Sequence, residues 1–253
     1  MFKLFGNKEI KAPVDDEMRD WIEYAMQWLF VTFNEKDCKE QKVYASLKEL
    51  LTDFDLQTAS LNDLAKIVAQ LMDINIEEVV VDVYDEGERA IETEGGKLFT
   101  QTEEGEQTTA GLYIGKNDDG KYEVGIEKSI LKDPVNLIAT IAHEFAHIKL
   151  LGENRIEDND EYLTDLLPII YGLGLFGANS VFSFRQTNTE WAYKTSGYLT
   201  QMEWGYALAV YCWLREDKNP DWIVSLPRNI QADYKRSLKF MENNPDKIFQ
   251  QKV

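Results

Sequence analysis

The only two histidines of this 253-residue chain lie four positions apart, in the run His143-Glu144-Phe145-Ala146-His147. On an α-helix, this spacing places both imidazoles one turn apart on nearly the same face, so both can reach one metal ion. Glu144 follows the first histidine, which places its carboxylate beside the ion rather than on it. There it could accept a proton from a water that the ion activates. The run therefore predicts a zinc site with Glu144 as general base; the competing interpretation is a helix with two partly exposed histidines.

Two histidines are too few to hold zinc in a protein, so a further ligand is required. Glu161 and Asp165 stand four positions apart at the start of an apolar segment and should share a helix face. Glu161 could bind the ion while Asp165 accepts the N–H of a ligand histidine and orients its ring. The other interpretation of this pair is a helix start whose dipole favours acidic residues.

A helix from Pro134 to Leu151 must carry the two histidines. Asp133 can cap its start, and Pro134 suits the first helical position, where a missing N–H costs nothing. Gly152 could end the helix in a left-handed conformation. Apolar residues at helical spacing predict one buried face, which comprises Leu137, Ile141, Phe145 and Ile148.

The first 75 residues predict helices: one capped by Asp15 or Asp16 and running to about Phe33, one over Glu40 to Phe54, and one capped by Ser60. Later helices are predicted over Glu161 to Phe182, Leu199 to Leu214 and Gln231 to Glu242.

Strands are predicted over Glu78 to Tyr84, Gly111 to Gly115 and Lys121 to Ile126, and a hairpin loop joins the last two. The acidic stretch Glu86 to Thr109 is typical of a mobile loop or a long hairpin tip. These patterns predict an α+β fold. We expect a helical region over 1–75 and a domain over 76–253 with a small mixed or antiparallel sheet, although the two could form one compact domain.

The first run, followed by Glu161-Tyr162-Leu163-Thr164-Asp165, resembles the gluzincin branch of the zincin zinc metallopeptidases, which pairs HExxH with a later glutamate, often as ExxxD. The resemblance covers about Gly111 to Ser180. It implies a zincin-like domain with zinc bound by His143, His147 and Glu161. It also implies Glu144 as general base and Asp165 as the orienting group.

The resemblance further implies an edge strand that binds extended substrate, and Lys121 to Ile126 is placed for that role. The chain departs from the pattern in two ways. Only 13 residues, 148 to 160, separate His147 from Glu161, and Thr164 stands where alanine or serine is common. The related metzincin pattern fails because Leu150 occupies its glycine position. Glu153 falls where that pattern has its third ligand, so it is the alternative ligand.

These observations favour a zinc-dependent metallohydrolase, with a peptide or protein as substrate. The alternatives are a non-catalytic zincin-like binding or regulatory protein and a hydrolase of non-peptide amides. Glu144 argues against a purely structural site, which has no need of it. Stabilising a developing oxyanion needs a hydrogen-bond donor. The candidates are Tyr193, Tyr198, Tyr206 and Arg185, and no motif selects among them. Glu203, amid apolar residues, could support the site or face water.

The formal charge is -18, from 45 acidic and 27 basic residues, and such a surface repels nucleic acid and anionic lipid. The two cysteines form no recognisable framework, and the N-terminal residues lack a signal-peptide core, so we expect a cytoplasmic protein. The uncharged segment Leu166 to Phe184 contains Pro168 and glycines, which favours a buried helix behind the metal site over a membrane span. Nothing in the sequence indicates the oligomeric state.

Overall fold

The computed structural model describes residues 10–52, 59–85, 88–93, 96–101, 110–186 and 198–250, with backbone alone for 88–101 and 182–186. Within these ranges the chain is mostly helical, with a small three-stranded mixed sheet, so the α+β prediction is confirmed at that level. The boundary between residues 75 and 76 stays a prediction.

The N-terminal part contains α1 (Asp16–Thr32), α2 (Glu35–Glu40), α3 (Leu47–Leu50) and α4 (Leu61–Leu71). The predicted first helix is confirmed, and Asp15 caps it by accepting the N–H of its third following residue. Its buried face packs against later helices of the chain, so this part shares the core of the rest.

The predicted helix over Glu40 to Phe54 is wrong. The backbone between α2 and α3 is instead held by tertiary hydrogen bonds: Tyr44 donates its N–H to the carbonyl of Gly172, and the Arg215 guanidinium donates to the carbonyl of Gln41. These partners satisfy groups that a helix would otherwise pair internally. Residues 53–58, at the predicted end, lie outside the described residues.

The three-stranded sheet has the order β1 (Val79–Tyr84), β5 (Tyr122–Glu127), β4 (Gly111–Lys116). β5 pairs in parallel with β1 and antiparallel with β4. β2 (Glu88–Thr93) and β3 (Gly96–Gln101) form a separate antiparallel pair. Of the stretch 86–109, predicted as a mobile loop or a long hairpin tip, the described residues are therefore paired strands rather than loop, and the rest lies outside the described residues.

The prediction that Lys121 to Ile126 forms an edge strand is wrong, because β5 lies between two partners. Val124 and Ile126, which share one face of the strand, are both fully buried, so the core covers that face. The pairing with β1 closes its second edge, and this pairing links segments about 40 residues apart. β4 is the edge strand that packs against the histidine-bearing helix.

The histidine-bearing helix is α5 (Pro134–His147), capped by Asp133, which accepts the N–H of Asn136. It continues as a π-helical turn over Ile148–Gly152. The predicted apolar face is confirmed as fully buried. α5 lies in the core, where it packs against β4 and β5, against α4 and against two later helices.

The left-handed end predicted at Gly152 is wrong. The π-helical turn extends the helix through Gly152, and the residue with a positive φ after it is Asn154, at 55°. Gly152 serves a close approach instead: a β-carbon there would lie 2.6 Å from the ring of Tyr122, whose hydroxyl donates to the Gly152 carbonyl.

The single helix predicted from Glu161 to Phe182 is two helices, α6 (Glu161–Ile170) and α7 (Gly174–Gln186). Gly172 separates them with φ at 77°, and a β-carbon there would lie 2.0 Å from the carbonyl oxygen of Lys42. The break therefore falls at a glycine that adopts a positive φ, where the segment before α3 comes too close for a side chain. Among the described residues, no helix is long and apolar enough to cross a membrane.

The last two predicted helices are confirmed as α8 (Gln201–Leu214) and α9 (Arg228–Asn243), which pack on each other. Glu203 has a local role: its carboxylate accepts the N–H of Thr200, whose hydroxyl accepts the Glu203 N–H in return. This capping box explains a glutamate among apolar neighbours without any role at the metal site.

Candidate metal centre

The side chains of His143, His147 and Glu161 converge where α6 begins beside α5. Nε2 of His143 lies 3.2 Å from Oε2 of Glu161, and Nε2 of His147 lies 3.5 Å from the same oxygen. One potential ligand atom from each residue lies within 4.8 Å of the others. The two imidazole rings are 5.1 Å apart and nearly perpendicular. This arrangement could hold a metal ion.

Glu161 is positioned by the first turn of α6. Asp160 caps the helix by accepting the N–H of Leu163, so Glu161 is its first residue. The side-chain amide of Asn159 donates to Oε1 of Glu161 over 2.8 Å. This bond occupies one carboxylate oxygen and leaves Oε2 to face the imidazoles.

Asp165 lies one turn further along α6 and contacts the opposite side of the first imidazole. Its Oδ1 is 2.9 Å from Nδ1 of His143, while Oδ2 accepts the backbone N–H groups of Tyr198, at 2.5 Å, and Leu199, at 2.9 Å. A carboxylate only accepts, so the Nδ1–H of His143 donates to Asp165, and Nε2 is the ring nitrogen that faces Glu161. Asp165 is only 4% exposed, and these bonds offset the cost of its burial.

We expect Asp165→Asn to weaken zinc binding by roughly 10–100-fold, because the amide no longer holds His143 in one tautomer and orientation. A competition titration against a zinc-binding dye measures this. Asp158→Asn makes the same chemical change in the turn before α6 and serves as control. Unchanged zinc affinity in folded Asp165→Asn protein would show that Asp165 does not orient the histidine.

Glu144 is buried beside this group, at 4% exposure. Its carboxylate accepts the backbone N–H of Tyr113 in β4. The strand crosses so closely that a β-carbon on Gly111 would lie 2.5 Å from Oε1 of Glu144 and 2.5 Å from the methyl of Thr140. Glycine at position 111 is therefore needed for β4 to cover this carboxylate.

For each titratable group of the site, burial shifts the pKa in one direction, and neighbouring opposite charges and hydrogen bonds shift it in the other. Burial raises the pKa of Glu144, and the neighbouring histidine charges and the Tyr113 N–H only partly oppose it. Burial also opposes ionisation of Glu161, but hydrogen bonds from His143 and His147 hold its pKa below the usual value. Burial favours neutral His143, yet its bonds to Asp165 and Glu161 hold its pKa well above the usual range.

These residues fit a divalent cation. Three carboxylates, those of Glu144, Glu161 and Asp165, surround two imidazoles in a largely buried place, so positive charge between them is favoured. Imidazole nitrogen and carboxylate oxygen are the donors that zinc accepts in catalytic sites.

The alternative ligand is held elsewhere. The carboxylate of Glu153 pairs at 2.7 Å with both Lys149 and Arg155 and is not in the group of converging ligand atoms. Tyr206, a candidate oxyanion donor, is buried in the core, where its hydroxyl donates to Glu23. Arg185 and Tyr193 have side chains outside the described part of the chain.

Tyr198 is the candidate donor that the structure places beside the site, with its ring stacked 6.4 Å from that of His143. Sequence reasoning missed two residues of β4, Gly111 and Tyr113. The ring of Tyr113 stacks on that of His147, with 5.7 Å between the ring centres. A glycine at the start of a predicted strand was the available signal, but it does not say which helix the strand crosses.

The geometry thus defines two packed helices that present a His-His-Glu group, consistent with a metal site of the HExxH type. Comparison with known proteins adds no relative: no family model matches the chain, and no curated protein or solved structure matches it.

Proposed function

We propose that the protein is a zinc-dependent metallohydrolase and that its substrate is a peptide. The observation that carries this proposal is the buried carboxylate of Glu144 beside two imidazoles and a glutamate that converge on one point. A purely structural metal site needs only its ligands. A buried acid next to them, held by a strand and not part of the group, supports a role in chemistry.

His143, His147 and Glu161 would hold the zinc ion, and Asp165 would orient His143. A zinc ion here supplies Lewis-acid activation of water and of the substrate carbonyl. Glu144 would accept the proton that the attacking water loses and pass it to the leaving amine. Because the Tyr113 N–H and the close approach of Gly111 restrict its carboxylate, Glu144 is held in place for both transfers.

The edge strand β4 is the element suited to hold an extended peptide. Its backbone pairs with β5 on one side, and Gly111 and Tyr113 bring it against Glu144 and His147. A peptide that adds to the other side of such a strand gains main-chain hydrogen bonds. Its scissile bond would then pass close to Glu144.

The test is hydrolysis of a complex mixture of unstructured peptides by protein loaded with one equivalent of zinc. We expect new peptide termini in mass spectra, loss of cleavage when a chelator removes the zinc, and recovery when zinc is returned. An identical preparation of Glu144→Gln protein controls for contaminating peptidases. Zinc bound stoichiometrically without any cleavage would contradict the proposal and favour the non-catalytic alternative.

A further inference from the structure

A shallow cleft of about 530 Å³, widely open to solvent, lies beside the metal centre. Its walls come from the turn before α6, from the first turn of that helix and from Tyr198. Glu161 lines the cleft and also belongs to the His-His-Glu group. A group that enters the cleft therefore lies next to the metal centre.

Aromatic rings form a row that starts at the metal centre, and the two tyrosines of this row line the cleft. Tyr198 stacks on His143, Tyr162 lies 6.2 Å from Tyr198, and Trp21 lies 5.7 Å from Tyr162. Tyr162 is 37% exposed and Tyr198 is 46% exposed. Their faces offer apolar area and a negative quadrupole, to which cations are attracted.

The charge of the cleft is one-sided. Its described lining includes the carboxylates of Asp158, Asp160 and Glu161 and no lysine or arginine. The nearest basic residue in sequence is Arg155, whose guanidinium lies 4.5 Å over the ring of Phe33 and pairs with Glu153. When Glu161 is engaged by a metal ion, Asp158 and Asp160 still make the cleft negative.

We propose that this cleft is a specificity pocket for a cationic side chain, lysine or arginine, of the peptide substrate. The aliphatic stem would pack on the rings of Tyr162 and Tyr198, and the charged end would face Asp158 and Asp160. An acidic residue would be repelled and a neutral one would gain less, so the pocket selects by difference in affinity. The inference rests on the proposed function for its substrate and adds the residue that the site prefers.

The experiment compares two N-acetylated, C-amidated peptides that differ at one central residue, arginine or citrulline, which has the same shape without the charge. Binding to zinc-loaded Glu144→Gln protein is measured by fluorescence anisotropy, and cleavage by the zinc-loaded wild type is measured in parallel. We expect the arginine peptide to bind about tenfold more tightly. A lysine peptide should show a preference of the same sign.

The double substitution Asp158→Asn and Asp160→Asn, made in the same background, should reduce the preference to within about twofold. Asparagine caps helices as well as aspartate, so α6 keeps its start and Glu161 its place. Zinc content is measured to check this. Asp82→Asn, on the opposite edge strand β1, removes an exposed carboxylate away from the cleft and should leave the preference intact.

Equal affinity for both peptides, or a preference that survives the double substitution, would overturn the inference. So would a neutral peptide with a free N-terminus that binds as tightly as the arginine peptide, because the cleft would then take a terminal ammonium group. Charge-selective binding without cleavage would leave the inference standing and refute the peptidase. Cleavage without charge preference would do the reverse.

Discussion

Glu144→Gln protein is expected to bind one zinc ion per chain and to hydrolyse peptides roughly 10²–10⁴-fold more slowly than wild type, the usual contribution of a general base. Glutamine keeps the shape of the side chain and an oxygen for the Tyr113 N–H, but it cannot accept the proton of the attacking water. Turnover of a cleaved peptide measures the loss, and elemental analysis measures the zinc.

Glu157→Gln is the matched control for this substitution, since it makes the same change at an exposed residue in the turn before α6. It should retain full activity and full zinc content. Wild-type turnover in Glu144→Gln protein would refute the mechanism. Loss of zinc from that variant would instead indicate that Glu144 is itself a ligand, although it is not among the three side chains whose ligand atoms converge.

His147→Ala is expected to abolish stoichiometric zinc binding. The chain has no histidine besides His143 and His147, so no other imidazole can replace the lost ligand. In wild type, free zinc at 100 times its dissociation constant should stabilise the fold by about 2.7 kcal/mol, because the folded state binds the ion. Thermal unfolding with and without zinc measures this difference, and the variant should show none of it.

His143→Ala should give the same result, since both Nε2 atoms face one oxygen of Glu161. Tyr113→Leu serves as control, because it removes a ring stacked on His147 but no ligand atom. It should keep one zinc ion per chain. One equivalent of zinc retained by His147→Ala protein would contradict the assignment of the site.

Several elements of the site could be read from local sequence because they depend on residues within about one helical turn of each other. The spacing of His143 and His147, the Asp133 cap and the apolar face of α5 are features of this kind. Glu161 and Asp165 were paired by the same periodicity, and their helix begins at the predicted residue.

The predictions that failed involved contacts between distant segments. The segment before α3 lies in one predicted helix and bonds to Gly172, the residue at which another predicted helix is interrupted.

The sequence by itself determined that two imidazoles share a helix face and that an acidic helix start follows them, since helical periodicity and capping are local. Only the tertiary structure decided that Glu161 rather than Glu153 meets the histidines, because that depends on how α5 packs against α6 and on the cations that pair with Glu153. It also decided that β4, not β5, is the edge strand over Glu144. Strand order is set by pairing between residues far apart in the chain, which no local pattern encodes.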